Sequence, residues 1–507
     1  MQEPINKPPR PIHYLDKSGR RGWRGFWLMS AGVGGAVILL MCLLIVVAIE
    51  SFALTPGMVM RAVLQTTEHM PPTIAAPMRW VAHAILPQDR LDLASATLPA
   101  GLGAARSAVL PTAPGSRVPV ADVNALLAAV NSAHPGDIIV LAPGHYAISR
   151  STIHLNRPGT DEAPITLTAD HPGEVVLESN TVVALHVEAP HWRIENLVIK
   201  GVCSDNSQCE HAIQVTGSAY DTQIRNNRLE DFNAQIKING EGGAFPDRGL
   251  IEGNTLTDTA PRATPNPITP IDLVAANDWH IVNNIVADFQ RADATTASYG
   301  AYAKGAGENN IFERNLIICE WKLHQPGEHI GLSLGGGGTG PDLTRDQGRT
   351  GLEQLGGIIR DNMIIACSDD GIYLNKSARS DIDRNTLLDT AGIDARFVET
   401  SASITDNIVD GTIRIRNGAT ATGQGNDTPS ILGLFIGRHP QRTYYTHPES
   451  LDLTWRREPP PAAAISQATD LCGVARTATA PPGAFVDYKP CLASPTNETV
   501  TPKATSR

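Results

Sequence analysis

The sequence predicts an all-β chain wound as a single-stranded right-handed parallel β-helix, capped by one N-terminal helix and preceded by one transmembrane helix. Three observations carry this. A phrase recurs in which an aliphatic strand, a turn, an asparagine and a second Ile/Leu-rich strand follow one another: IRNNRL, IEGNTL, IVNNIV, FERNLI, IRDNMI, IDRNTL and ITDNIV. Between the repeats lie short strands of period 2 bounded by Gly, Asn and Asp, with no sustained helical period. The composition is only 5% aromatic and includes 45 glycines, which suits a narrow aliphatic core with many tight turns better than a thick globular one.

The repeat is marked by Asn227, Asn254, Asn284, Asn315, Asn362, Asn385 and Asn407. Spacings of this order mean stacked supersecondary units, none of which buries its apolar face alone. In GIYLNKSARSDIDRNTLLDT, alternation sends Ile372 and Leu374 inward and Tyr373 and Asn375 outward. The marker asparagines read as turn residues. They tolerate the left-handed conformation, and each amide can bond the same turn in the coils above and below.

Taken from the N-terminus, residues 1–25 form a basic segment with Lys7, Arg10, Lys17, Arg20, Arg21 and Arg24 against Glu3 and Asp16. Residues 26–49 carry no charge and are long enough to span a bilayer. The basic flank stays in the cytoplasm by the positive-inside bias, which predicts a single-pass inner-membrane anchor with the β-helix in the periplasm or outside. The rival reading is a cleavable signal ending at Ser51-Phe52-Ala53, whose apolar core would be about 7–15 residues, shorter than this run. Residues 50–118, rich in Ala, Gly and Pro towards their end, read as a stalk or linker. The β-helix itself spans 119–426. Near its start Val123, Leu126, Leu127 and Val130 share one helical face, the pattern of a helix that caps the first coil against edge pairing. Residues 427–507 read as a C-terminal capping or tail segment.

Cysteine usage fits an oxidising compartment. Cys42 lies in the apolar run, and the other six suggest the pairs Cys203–Cys209, Cys319–Cys367 and Cys472–Cys491. Spacing alone does not prove this connectivity. Metal ligation is the alternative, and no CxxC spacing supports it. A net charge of −11 argues against a nucleic-acid partner. An acidic polymer would therefore need a local basic strip.

Aligning the coils on the marker asparagines supplies such a strip on one outer face. Lys237, Asp272, Tyr302, Ser333, Tyr373 and Arg414 project outward, with Lys304 and Arg416 two residues along their strands and His329 just upstream of Ser333. Neighbouring coils stand about 4.8 Å apart, so adjacent residues can act on one sugar unit. A lysine among other cations and tyrosines has a lowered pKa and can abstract a proton α to a uronate carboxylate, while a second cation holds that carboxylate. That is the chemistry of polysaccharide β-elimination. The run Gly335–Gly338 opens the longest irregular stretch, GGGGTGPDLTRDQGRTGLEQLGG, which must leave the rod and project over one face.

The segment PGDIIVLAPGHYAISRSTIHLNRPGTDEAPITLTADHPGEVVL resembles the start of the chondroitinase B/alginate lyase group, polysaccharide lyase family six, with weaker likeness over about 120–420. The resemblance implies a β-helix acting on an acidic polysaccharide, and it assigns Lys304, in AYAKGAGENNIFERN, as Brønsted base. On that reading Tyr373 or Tyr302 is the acid, Lys237 clamps the carboxylate, and Asp272, His329, Ser333, Arg414 and Arg416 contact substrate. Calcium is the cofactor that the family implies, but Ala297 and Tyr299 stand where its acidic ligands would fall. No other metal ligands are assigned. The position of the family's arginine, near GLSLGGGG, holds no arginine. The combination AKGAG with GLSLGGGGT and the tail LTWRREPPPAAAISQATDLCGVARTATAPPGAFVDY resemble secreted β-helix proteins more broadly.

Two further functional readings stay open. One is a non-catalytic glycan-binding or envelope-structural rod. The other is a glycoside hydrolase using Asp272, Asp369 or Asp370, which requires two carboxyl groups about 5–9.5 Å apart. Asp369-Asp370 and His329 are similar to polygalacturonase motifs in the reverse order. The DPHD motif of mannuronan epimerases is absent.

Overall fold

The computed structural model describes residues 40–41, 43–68, 70–86, 89–104, 115–149, 151–293, 296–463 and 468–493. It divides into a unit up to Ala53 and a unit from Leu54 onward. In the first unit Leu43–Phe52 is helical, with Leu43, Leu44, Ile45, Val47 and Phe52 exposed. No single described helix is long and apolar enough to cross a membrane. The basic N-terminus, most of the apolar run 26–49 and Cys42 lie outside the described residues.

The second unit is a parallel β-helix. Three sheets of 12, 10 and 10 strands run its length, and every pairing within them is parallel. Each coil contributes one short strand to each sheet in turn. Gln223–Arg225 lies in the first sheet, Arg228–Glu230 in the third and Ile236–Asn239 in the second, before Leu250–Glu252 re-enters the first. Inward residues make one continuous aliphatic core, to which Ile372 and Leu374 belong, while Tyr373 projects outward. The helix Val123–Ser132 covers the first coil. Asp122 caps it by accepting from the Ala125 N–H at 2.8 Å, and Leu126 and Val130 are fully buried.

The marker asparagines form a buried ladder at the corner between the first and third sheets. From Asn254 to Asn407, each side-chain Oδ1 accepts from the backbone N–H and Nδ2 of the asparagine one coil earlier, as in Asn284 to Asn315 at 3.0 Å on both bonds, and at the head of the ladder Asn227 Oδ1 accepts from the Leu197 N–H at 3.0 Å. Asn426 extends the ladder by one coil. The left-handed residue is not the ladder asparagine but the one before it: Asn226, Gly253, Asn283, Arg314, Asp361, Arg384 and Asp406 all have positive φ. This corrects the turn assignment. The bend is taken by the preceding residue, which frees the asparagine side chain to point inward and satisfy the backbone of its neighbours.

All three proposed cysteine pairs are bonded. The stalk reading of 50–118 is not what the structure shows for its described part. Pro56–Glu68 and Pro72–Ile85 are helices, and Leu93, Ala96 and Leu102 are buried against the rod. They join Tyr444, Tyr445, Leu453, Phe485 and Tyr488 of the tail over the outer side chains of the third sheet, among them Ile285, Leu316, Met363 and Ile408. The tail therefore runs along the side of the rod.

Candidate functional site

The second sheet places its outward side chains in register. Reading along the rod, Gln214, Lys237, Asp272, Tyr302, Ser333, Tyr373, Asp394 and Arg414 are consecutive partners. Two residues further along the strands, Asn239, Val274, Lys304, Asn375, Arg396 and Arg416 make a parallel file. The anticipated column is thus a real column, with Asp394 standing between Tyr373 and Arg414.

Its chemistry differs along its length. In the middle, Lys237 Nζ lies 2.7 Å from Asp272 Oδ2. Tyr302 is buried beside Asp272, and burial together with the Asp272 charge holds its phenol well above the ordinary tyrosine range. Lys304 Nζ stands over the Tyr302 ring, 4.5 Å from its centroid, within cation–π distance. No carboxylate among the described residues forms an ion pair with Lys304. Burial lowers its pKa, Asp272 and Glu353 pull it back up, Lys237 pushes it down, and the result is below the ordinary lysine value. Tyr299, half-buried, meets the Tyr302 ring edge-on at 5.5 Å, and burial raises its pKa too.

The glycine-rich excursion forms one wall here. Gly336 passes so close to the column that a Cβ on it would meet Lys304 Cδ at 3.3 Å and Tyr302 Cδ1 at 3.6 Å. Glu353 ties the loop's return to the rod by accepting from the Gly305 N–H at 2.9 Å. Arg345 grips Asp247 at 2.7 and 2.8 Å and lies over the Phe245 ring, which joins the loop to the turn after the Lys237 strand.

Towards the C-terminal coils the charges neutralise one another. Arg414 pairs with Asp370 at 2.6 Å and Asp394 at 3.3 Å, and Arg416 pairs with Asp394 at 2.5 Å. Asp394 is fully buried. Burial and the charge of Asp369 push the Asp370 carboxyl well up, and Arg414 offsets this only in part. Arg61, from the helix Pro56–Glu68, holds Asp369 at 2.6 Å. Tyr373 is nearly buried, and burial raises its pKa although Arg396 works against the shift.

Several sequence assignments change as a result. His329 is 2% exposed and bonded through Nδ1 to Glu320 at 2.9 Å, so it is a packing residue outside the open face. Ser333 is fully buried, its hydroxyl bonded to the Gly335 and Tyr373 carbonyls, and is not available to a ligand. Arg414 and Arg416 are occupied by carboxylates one or two coils earlier. Asp272 lies three coils from Tyr373, about 14 Å along the rod, too far to act with Asp370 as a hydrolase pair. Asp394, Arg396 and Glu353 join the site unannounced by any motif, and Tyr299, which stands where the family's calcium ligands fall, joins it as a phenol. GIDAR has the alternation that would have shown Asp394 and Arg396 as outward neighbours.

Residues 120–240 match the family model of chondroitinase B. The resemblance to this lyase family is therefore carried by the first coils and reaches Lys237, but stops before Lys304. No curated protein matches the chain. Among solved structures, pectate lyase Pel9A is 13% identical, with 74% of this chain and 98% of that one covered at a TM-score of 0.48. A family-six polysaccharide lyase from Pseudopedobacter saltans is 15% identical, covering 64% and 94% at a TM-score of 0.35. The lacto-N-biosidase of Eubacterium ramulus, a glycoside hydrolase, is 12% identical, covering 62% and 68% at a TM-score of 0.39. A parallel β-helix does not by itself fix an activity, so function must be argued from the site.

Proposed function

We propose that this protein cleaves an acidic polysaccharide by β-elimination on the outer face of the second sheet, with Lys304 as the base. The observation that carries this is Lys304 itself: a lysine with a lowered pKa and, among the described residues, no ion pair to a carboxylate, standing over the Tyr302 ring and against the glycine-rich wall. In the reaction, Lys304 Nζ takes the proton α to the uronate carboxylate. The electron pair left behind forms the new carbon–carbon double bond as the bond to the glycosidic oxygen breaks. That oxygen leaves with a proton. Tyr299, kept protonated and more open than Tyr302, is the better placed donor, while Tyr302 forms the floor under Lys304. Lys237, the clamp the sequence suggests, is paired with Asp272 at 2.7 Å and has to exchange that partner for the substrate carboxylate. None of these residues is an acidic cluster of the kind calcium requires, and no step here runs through calcium.

The test is the ultraviolet absorbance of unsaturated uronate released from a panel of uronate polymers. Activity is expected to fall by about 10²–10⁴-fold in Lys304→Ala, the usual contribution of a general base. A polymer that binds but yields no unsaturated product would support the second reading, a non-catalytic glycan-binding rod. That reading is favoured by one observation: Arg61, Arg414, Arg416 and Lys237 are all neutralised by neighbouring carboxylates, which leaves little free positive charge.

We also propose a periplasmic location with a membrane anchor at 26–49. The uncharged run with its basic flank supports it, as do three disulfides suited to an oxidising compartment. Carbonate extraction of membranes that leaves the protein in the supernatant would refute the anchor.

A further inference from the structure

The outward column of the second sheet continues past Gln214 towards the N-terminal coils, and its character changes there. His154 on Ile153–Leu155 is the direct register partner of His186 on Val183–Val187, so two imidazoles project from adjacent coils, with ring centroids 5.6 Å apart. Glu188 lies two residues beyond His186 on the same side of the chain. Its carboxylate meets both rings, His154 Nδ1 at 3.0 Å and His186 Nδ1 at 3.4 Å. One ligand atom from each of the three residues falls within 4.8 Å of the others. The second nitrogen of His186 is held by the Thr216 hydroxyl at 3.0 Å, a contact of the kind that fixes the orientation of a liganding imidazole.

We propose that His154, His186 and Glu188 bind a divalent transition metal of the zinc class. Two neutral imidazoles and a carboxylate are a donor set suited to this class, whereas calcium and magnesium favour oxygen-only sites. Metal–ligand bonds of about 2.0–2.2 Å place tetrahedral donors roughly 3.3–3.5 Å apart. The carboxylate contacts already stand near this separation, and the widest pair of ligand atoms, within 4.8 Å, has to close by at most roughly 1.5 Å. His154 is half exposed, so a metal held by three protein ligands keeps a coordination position open to solvent on the same face as Lys237, two coils away. That open position suits an oxygen donor. Nothing in the metal-binding claim depends on the lyase reading.

The experiment is calorimetric titration of the full-length protein with zinc chloride, with cobalt(II) absorption as a second readout. The expected result is one saturable site and a tetrahedral-type cobalt spectrum. Either His154→Ala or His186→Ala should weaken the affinity by at least about 100-fold, beyond the loss typical of an outer-shell change. His145 and Glu178 form an ordinary exposed pair at 3.2 Å on another sheet, and His145→Ala should leave binding unchanged. The proposal is overturned if zinc does not bind, or if binding survives both histidine substitutions. Circular dichroism of the variants confirms that the rod is intact, since both rings lie on its outer face.

Discussion

The outer faces of the second and third sheets are built on the same coils and meet opposite fates. On the third sheet, strands such as Leu316–Ile318 and Met363–Ile365 are apolar on both sides, and their outward side chains are sealed by residues 93–102 and by an aromatic group from the tail. Tyr445, Trp455, Phe485 and Tyr488 stack there with centroids 5.0–5.9 Å apart. On the second sheet the outward positions are mostly Lys, Asp, Tyr, Ser and Arg; the glycine-rich excursion lies over part of them, and Lys237 and Lys304 stay partly exposed beside it. One face is packed for stability and the other carries the proposed site, and what separates them is the residue type at alternate positions of two- to seven-residue strands.

Substitutions can test that division. The largest effect on stability is expected from Phe485→Ala, a loss of about 3–5 kcal/mol by denaturant unfolding. Lys304→Ala should remove activity while leaving the unfolding midpoint nearly unchanged. If the two substitutions behave alike, the contrast between the faces is wrong. Asn315→Ala should cost less, about 1–3 kcal/mol, because it orphans the Asn284 N–H and the carbonyls of Ile281 and Glu313 inside the ladder.

The pH responses of the two faces should differ as well. On the open face, the rate should climb with pH as Lys304 loses its proton, and the rise should begin below the pKa of a free lysine. On the covered side, His439 bridges Asp89 and Asp410 at 2.6 Å each. Burial alone would lower its pKa, but the Asp410 hydrogen bond and charge outweigh it and raise the value. Its contribution is therefore complete below the ordinary histidine value and is lost as pH climbs through the raised one. Asp410 is depressed by His439 and Arg442 despite its burial, so its share is lost only as pH falls through that lowered value. Limited proteolysis of the tail across pH should show release at the alkaline side first, and His439→Ala should abolish that dependence. The smallest effect is expected from Gly336→Ala, less than about tenfold in kcat/KM, near 1 kcal/mol, from crowding of Lys304.

The sequence makes the coil and its column legible because both depend on local alternation and on one repeated asparagine. Ile372, Tyr373 and Leu374 take the faces that period 2 assigns them, and the cysteines pair as their distances from Asn315 and Asn362 suggest. Charge pairing was not legible. Whether Arg414 is free depends on Asp370 and Asp394, which lie 44 and 20 residues away in sequence and one or two coils away in space. The cover over the third sheet leaves one signal in the sequence: LII and MII are apolar without alternation, which marks strands buried on both sides. The Ala/Gly/Pro composition after residue 92 obscured the fact that Leu93, Ala96 and Leu102 are the pieces that fill that surface.

The coil that carries the glycine-rich excursion is the one fastened by Cys319–Cys367, which bonds the chain before it departs to the chain after it returns. The bridge closes the circuit independently of the loop's length or sequence. Selection, or an engineer, can therefore lengthen, shorten or replace the wall above Lys304 while the rod beneath keeps its register. The part of the molecule that shapes the groove is thus the part whose variation the scaffold tolerates most cheaply.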